Sequence, residues 1–217
     1  QNHLAWVQNY LQAHGLKRLG FESGRVSVEQ YRLWQASLPC EWIPAQELLD
    51  NLRASKDEEE LSAMRTAHRI TDEAFEAILN FIRPGLTEQE VAARLVYELM
   101  NRGARKVSFD PIVAAGANGS MPHAGPGETV IRPGMFVTMD FGCIYDGYCS
   151  DMTRTVAVGR PTEEMERVYE TVLAAQQAGI SAARAEITGQ ALDAAARSVI
   201  SKAGYGAFFS HSFGHSL

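Results

Sequence analysis

The sequence predicts an α/β (α+β) chain made of two similar helix–helix–sheet halves, the second of them truncated. Three observations predict it. Long apolar-periodic stretches of helical spacing alternate with short apolar runs of strand character. A two-residue turn signal, Asp146-Gly147, joins two of those runs. The chain also resembles itself when it is slid along by 101 residues without gaps.

The elements follow in order. Gln1 to Leu16 has helical spacing at Leu4, Val7 and Leu11, and Leu19 to Glu22 fits a short strand. Val28 to Leu38 reads as a helix stopped before Pro39, and Trp42 to Pro44 as another short strand. This stretch is small for an independent core and has the look of the end of an α/β domain. Ser55-Lys-Asp-Glu58 reads as a capping box opening a helix to about Phe81, ended by Pro84-Gly85. Thr87-Glu-Gln-Glu90 is a second box, for a helix ending near Gly103. Strands are expected over 109–114, 135–142 and 148–158, and helices over 163–184 and 189–203.

The repeat matches Ala74 with Ala175, Arg83 with Arg184, Thr87 with Thr188, Gln89 with Gln190 and Gly103 with Gly204. The Thr and Gly matches fall at helix ends, where caps belong. The first half carries a hairpin after its two helices. The second half should therefore carry its own, about 101 residues on and past Leu217.

Composition excludes some classes. Among 217 residues, 46% are hydrophobic and 21% charged, as in ordinary globular proteins. A net charge of −6 lacks the basic excess that nucleic-acid binding needs. No apolar run approaches the roughly 20 residues that cross a bilayer, so no membrane partner is expected. No secretory signal leads the chain, and three cysteines are too few for a disulfide scaffold, so the expectation is a reducing cytoplasm. The chain opens at Gln1 rather than a methionine and stops at Leu217, so a fragment is expected.

The hairpin carries an electrostatic problem. If Asp146-Gly147 makes the turn, Tyr145 faces Tyr148, Asp140 faces Thr153 and Asp151 faces Gly142. Side chains alternate along a strand, so Asp140, Gly142, Asp151 and Thr153 share one face. The two aspartates are then diagonal neighbours, about 7–8 Å apart at the backbone, and their carboxylates can converge over the gap left by Gly142. Two such carboxylates repel each other, and burial disfavours both charges. A shared proton, a bridging cation or solvation at the surface would each relieve them. The cation reading gains from His211 and His215, four residues apart in a Gly- and Ser-bearing stretch after a helix. Asp, Asp and His form an oxygen/nitrogen ligand set that suits Mn²⁺, Co²⁺, Fe²⁺ or Zn²⁺. Cys143 and Cys149 are expected to be small core residues. The Gly-rich stretch from Gly116 to Gly125 lacks the Gly-Lys-Ser/Thr ending of a phosphate loop, but it could bring His123 near the hairpin.

The segments SFDPIVAAGANGSMPHAGPGE, RPGMFVTMDFGCIYDGYCSDMTRT and FFSHSFGHSL, in this order, resemble the signatures of the M24 pita-bread metallopeptidases. The nearest branch is similar to the Xaa-Pro dipeptidases and aminopeptidases P. The resemblance covers about residues 19 to 217, and LGFESGRVSVEQYRLW resembles the preceding creatinase-like domain. It implies residues 1–50 as a remnant of that domain and 51–217 as an M24 catalytic domain, incomplete at its C-terminal end. It implies two divalent ions, Mn²⁺ or Co²⁺ with Zn²⁺ or Fe²⁺ as alternatives, held by two Asp, one His and two Glu. Asp140, Asp151 and His215 match the metal ligands, His123 and His211 match histidines that act on the substrate, and Thr153 matches a partner of the carboxylates. The two Glu ligands are expected beyond Leu217. The activity implied for the parent protein is hydrolysis of the bond between an N-terminal residue and proline, in short peptides with proline second. The 217-residue chain alone is expected to be inactive. Family members are often dimeric, so a homodimer is a further expectation. The alternatives are a creatinase-type amidinohydrolase, which usually replaces the aspartate ligands, and a pita-bread peptide-binding module without catalysis.

Overall fold

The computed structural model describes residues 3–215 and divides into two compact units, one ending at Glu58 and the other beginning at Glu59.

The first unit contains α1 (His3–Ala13), β1 (Arg18–Phe21), α2 (Val28–Ser37), β2 (Glu41–Pro44) and α3 (Gln46–Ala54). β1 and β2 run parallel, with Leu19 opposite Trp42, which is the pairing a helical crossover such as α2 permits. Ser27 caps α2 by accepting the Gln30 amide. Aromatic rings fill the space between the elements: Phe21 stacks on Tyr31 at 5.0 Å and Trp34 on Trp42 at 5.4 Å. α3 escaped the sequence reading. Its N-cap is Ala45, which has no side-chain oxygen to mark a start. Ser55, read as the opening of the next helix, instead closes α3, and the next helix opens at Glu58.

The second unit is built from α4 (Glu58–Leu79), α5 (Glu88–Asn101), β3 (Lys106–Val107), β4 (Ile112–Ala115), a 3-10 turn at Gly116–Ser120, β5 (Met135–Phe141), β6 (Cys143–Tyr145), β7 (Tyr148–Cys149), β8 (Met152–Val158), α6 (Glu163–Ala182) and α7 (Gly189–Lys202). Ile70, Ala74 and Ile78 of α4 and Val91, Leu95 and Leu99 of α5 recur at helical spacing. They bury against Val113, Val137, Met139 and Phe141, which alternate along the strands. Thr87 caps α5 with both halves of the expected capping box.

The two halves are alike in their caps as well as their helices. Thr87 and Thr188 both cap a helix by accepting an amide three residues on. Gly103 and Gly204 follow the two helix ends at φ +96° and +90°. Gly85, at φ +97°, is matched after 101 residues by Glu186, at φ +65°.

The hairpin has the expected register. Asp140 pairs with Thr153, Ile144 with Cys149 and Tyr145 with Tyr148. Asp146 at φ +47° and Gly147 at φ +87° make a turn of the type whose two central residues are both left-handed. The hairpin is not two continuous strands, however. It breaks between Gly142 and Ser150 into two sheets, β4-β5-β8 and β3-β6-β7. At the break the Ser150 amide donates to the Cys143 carbonyl at 2.8 Å, but the Cys143 amide finds the Ser150 hydroxyl at 3.0 Å instead of a carbonyl. The freed Ser150 carbonyl accepts from the Ser108 hydroxyl at 2.8 Å. Strand pattern cannot show this exchange of partners, because Ser150 satisfies the backbone from its side chain.

Candidate metal centre

Asp140 is fixed by β5. Its neighbours Met139 and Phe141 point into the core and are fully buried, so alternation turns Asp140 to the opposite face. On that face Thr153 hydrogen-bonds the Asp140 carboxyl, and Thr138 meets Thr155 hydroxyl to hydroxyl at 3.0 Å. Asp151, in the gap between β7 and β8, lies close enough to hydrogen-bond and charge-couple with Asp140. Burial holds the Asp140 carboxyl above the usual carboxylate range; the Thr153 bond pulls against this, and the charge of Asp151 pushes it further up.

His215 joins from the last described loop, its Nε2 3.5 Å from Asp151 Oδ2. A protonated imidazole there would draw the Asp140 carboxyl back down. The three side chains form a series of pair contacts, and no group of three ligating side chains closes around one point among the described residues. Ser216 and Leu217, the end of the third motif, lie outside the described residues.

The aspartate pair passes a chemical test for a cation. Asp140 Oδ1 is buried and has no hydrogen-bond partner, one of two such side-chain atoms among the described residues. An orphaned carboxylate oxygen beside a second carboxylate is costly unless a cation or a shared proton completes it, and the neighbouring imidazole favours the cation. Oxygen ligands with one imidazole suit a divalent ion of the Mn²⁺ or Co²⁺ kind. The structure also corrects the expected role of Gly142. The space of its missing side chain is not left for the carboxylates: a Cβ there would lie 1.9 Å from the Ser150 carbonyl oxygen.

The other two candidate histidines lie on loops. His123 is exposed, on the stretch that follows the 3-10 turn. That turn lies on the aspartate face, for a Cβ on Gly119 would sit 3.5 Å from Thr138 Oγ1, two residues along β5 from Asp140. His211 is held near α7: its ring packs edge-on against Phe209 at 4.8 Å, its Nδ1 meets the Ser212 carbonyl, and its carbonyl accepts from Arg197 at 2.7 Å. The contacts that link Asp140, Asp151 and His215 do not include His211 or His123. Cys143 is fully buried in the core, as expected, with its thiol near the Ala67 carbonyl.

The sequence reading missed two clamps. Arg197 donates to the carbonyls of Phe209 and His211 and pairs with Asp193, one turn before it on α7. Asp193 in turn accepts the Phe213 amide at 2.8 Å, so one helix-surface pair grips the loop that carries His211 and His215. An i,i+4 Asp–Arg pair reads as an ordinary helix stabiliser, and nothing local marks it as a loop anchor. The second clamp is Glu88, fully buried in the first turn of α5, where the sequence suggests only an acid suited to the helix dipole.

Residues 62–217 match the model of metallopeptidase family M24, and residues 1–55 match the creatinase/prolidase N-terminal domain. An uncharacterized peptidase of Bacillus subtilis is 40% identical over 208 residues, 95% of this chain and 59% of the relative. Among solved structures, an Xaa-Pro dipeptidase from Bacillus anthracis aligns with TM-score 0.91 and 41% identity over 96% of this chain and 59% of its own. An X-Pro aminopeptidase from Thermotoga maritima aligns with TM-score 0.89 and 33% identity over 95% of this chain and 59% of its own. The chain thus spans a little under three fifths of the length of these relatives. Its helices and small sheets follow the pita-bread architecture of those structures. The cation-ready aspartate pair, the repeated halves and the matched stretch together lead to one assignment: the chain belongs to metallopeptidase family M24.

Proposed function

We propose that the protein hydrolyses the peptide bond between an N-terminal residue and proline, as an Xaa-Pro dipeptidase or aminopeptidase dependent on divalent metal. The observation that carries this reading is the buried, unpartnered Oδ1 of Asp140 beside Asp151, a pair that fits a cation. In this reading residues 1–50 are the remnant of an N-terminal creatinase-like domain and 51–217 the catalytic domain. Asp140, Asp151 and His215 hold the metal, with Mn²⁺ or Co²⁺ favoured by the ligand set. When bound, divalent ions lower the pKa of a coordinated water and polarise the scissile carbonyl. Thr153 holds the Asp140 carboxyl in place. His123 assists the scissile amide and helps the proline nitrogen depart by donating to it, and His211 contacts the substrate near the metal. The retained aspartate pair argues against a creatinase-type amidinohydrolase and against a module without catalysis. A homodimer in the cytoplasm completes the reading, and the sedimentation mass of the natural protein checks the dimer.

Three protein ligands hold a metal weakly without further carboxylates, so the 217-residue chain alone is inactive in this reading. The experiment compares the purified chain and the intact natural protein, each with Mn²⁺ and an Xaa-Pro dipeptide. Turnover by the intact protein that Asp140→Asn abolishes is expected. Robust turnover by the 217-residue chain would overturn the claim of inactivity, and turnover by the intact protein without metal would overturn the metal reading.

A further inference from the structure

Glu88 is 1% exposed, yet it carries a carboxylate into the interior. Its Oε1 accepts the Ala115 amide at 2.7 Å and the Asn118 side-chain amide at 2.9 Å. Its Oε2 accepts the Gly127 amide at 3.1 Å. The same Asn118 amide group donates to Thr129 Oγ1 at 2.9 Å. Around these bonds the Glu88 amide donates to the Thr129 carbonyl and the Gln89 amide to the Gly127 carbonyl, both at 3.1 Å. One side chain therefore ties together the two ends of a loop, 115 and 127, from the first turn of a rigid helix. The loop between those ends carries His123 and lies on the aspartate face at Gly119.

The choice of residue follows from the donors. All three are N–H groups, and only a group that accepts at both oxygens satisfies them. A glutamine of the same shape must turn its NH₂ toward either the Gly127 amide or the Ala115 and Asn118 donors, leaving N–H facing N–H in a buried place. An aspartate is one methylene too short to bridge both ends. A carboxylate with these demands, far in sequence from its donors, does more than start a helix.

We propose that Glu88 is the positioning residue of the His123 loop: it acts on catalysis through His123, by fixing both ends of the loop on the face that carries Asp140. The proposal rests on the peptidase reading for its catalytic part and on geometry alone for the clamp.

The test uses Glu88→Gln in the intact natural protein, with His123→Ala alone and combined with it. Amide exchange over 115–127 should rise about ten-fold relative to the core amides of Leu95 and Val137, the effect of one unmatched buried hydrogen bond. With Mn²⁺ and an Xaa-Pro dipeptide, kcat should fall by a similar factor while KM and Mn²⁺ affinity hold. In the His123→Ala background, Glu88→Gln should lower kcat no further. Unchanged loop exchange would overturn the clamp. An equal loss of kcat in both backgrounds would overturn action through His123. If Glu88→Gln fails to fold, Asn118→Ala removes one of the same donors from the surface side and is read by the same exchange and kcat measurements. A wild type with no turnover would sink the peptidase reading while the exchange measurement still decides the clamp.

Discussion

The ring of Phe213 lies against the bare Cα of Gly179: a Cβ added to that glycine would stand 2.2 Å from Phe213 Cζ. Gly179 sits inside α6, where glycine is a poor helix former, so its presence is explained by this contact. Gly179→Ala should raise the intrinsic stability of α6 by about 1 kcal/mol and at the same time drive the Phe213 ring away. The Phe213 amide, which donates to Asp193, is the reporter. Thermal melting should hold or rise while exchange of that amide accelerates; a protected Phe213 amide in the variant would refute the coupling.

Gly142 should tolerate no side chain. Alanine there would collide with the backbone carbonyl of Ser150, which cannot swing away as a side chain does and is also held by Ser108. Gly142→Ala should cost about 3 kcal/mol, the upper end of overpacking penalties, read as a shift of the denaturant midpoint at unchanged slope. A loss below about 1 kcal/mol would show that the break in the hairpin relaxes freely.

Glu98 gives the acid limb of stability. Burial alone would raise its carboxyl pKa, but hydrogen bonds and charge from Arg102 and Arg94 outweigh it and hold the carboxyl below its ordinary value of 4.5. A depressed folded pKa means that the unfolded chain takes up the proton first. The stabilisation is therefore fully present above the ordinary value and is lost as pH falls below 4.5 through the folded pKa. Urea midpoints of the wild type and Glu98→Gln, measured from pH 7 to 3, should converge as pH falls. A difference that stays constant across this range would remove Glu98 from the acid response.

Glu186 holds a left-handed conformation, φ +65°, at the repeat position where the first half has Gly85. Left-handed backbone costs a residue with a Cβ about 1 kcal/mol or more, which glycine avoids. Glu186→Gly should therefore stabilise the chain by up to about 1 kcal/mol, less the extra freedom glycine gives the unfolded state. A lower melting temperature in the variant would show that the Glu186 side chain does more for the fold than its backbone costs.

The hairpin was legible in the sequence because its information is local. Asp-Gly at the turn sets the register, and register with period two places Asp140 and Thr153 on one face. The capped helix α5 was legible for the same reason. What escaped depends on partners distant in sequence. The break at Ser150 needs Thr71, whose hydroxyl meets the Ser150 hydroxyl at 2.5 Å, and Ser108 from a third segment. The Glu88 clamp needs residues 27 to 39 positions later. β3 is two residues long, too short for any pattern to register, and exists because Lys106 and Val107 meet Ile144 and Cys143.

The break in the hairpin divides labour along a single stretch of chain. β6 and β7 have their own moorings, β3 alongside and the Tyr148 hydroxyl on Glu60 at 2.7 Å. The turn at Asp146-Gly147 therefore hangs on those moorings and lies in a different sheet from the ladder that pairs Asp140 with Thr153. For an engineer the tip of this arm is the natural port: a reporter peptide or a fluorophore attached there is insulated from the carboxylates by a joint the fold already possesses.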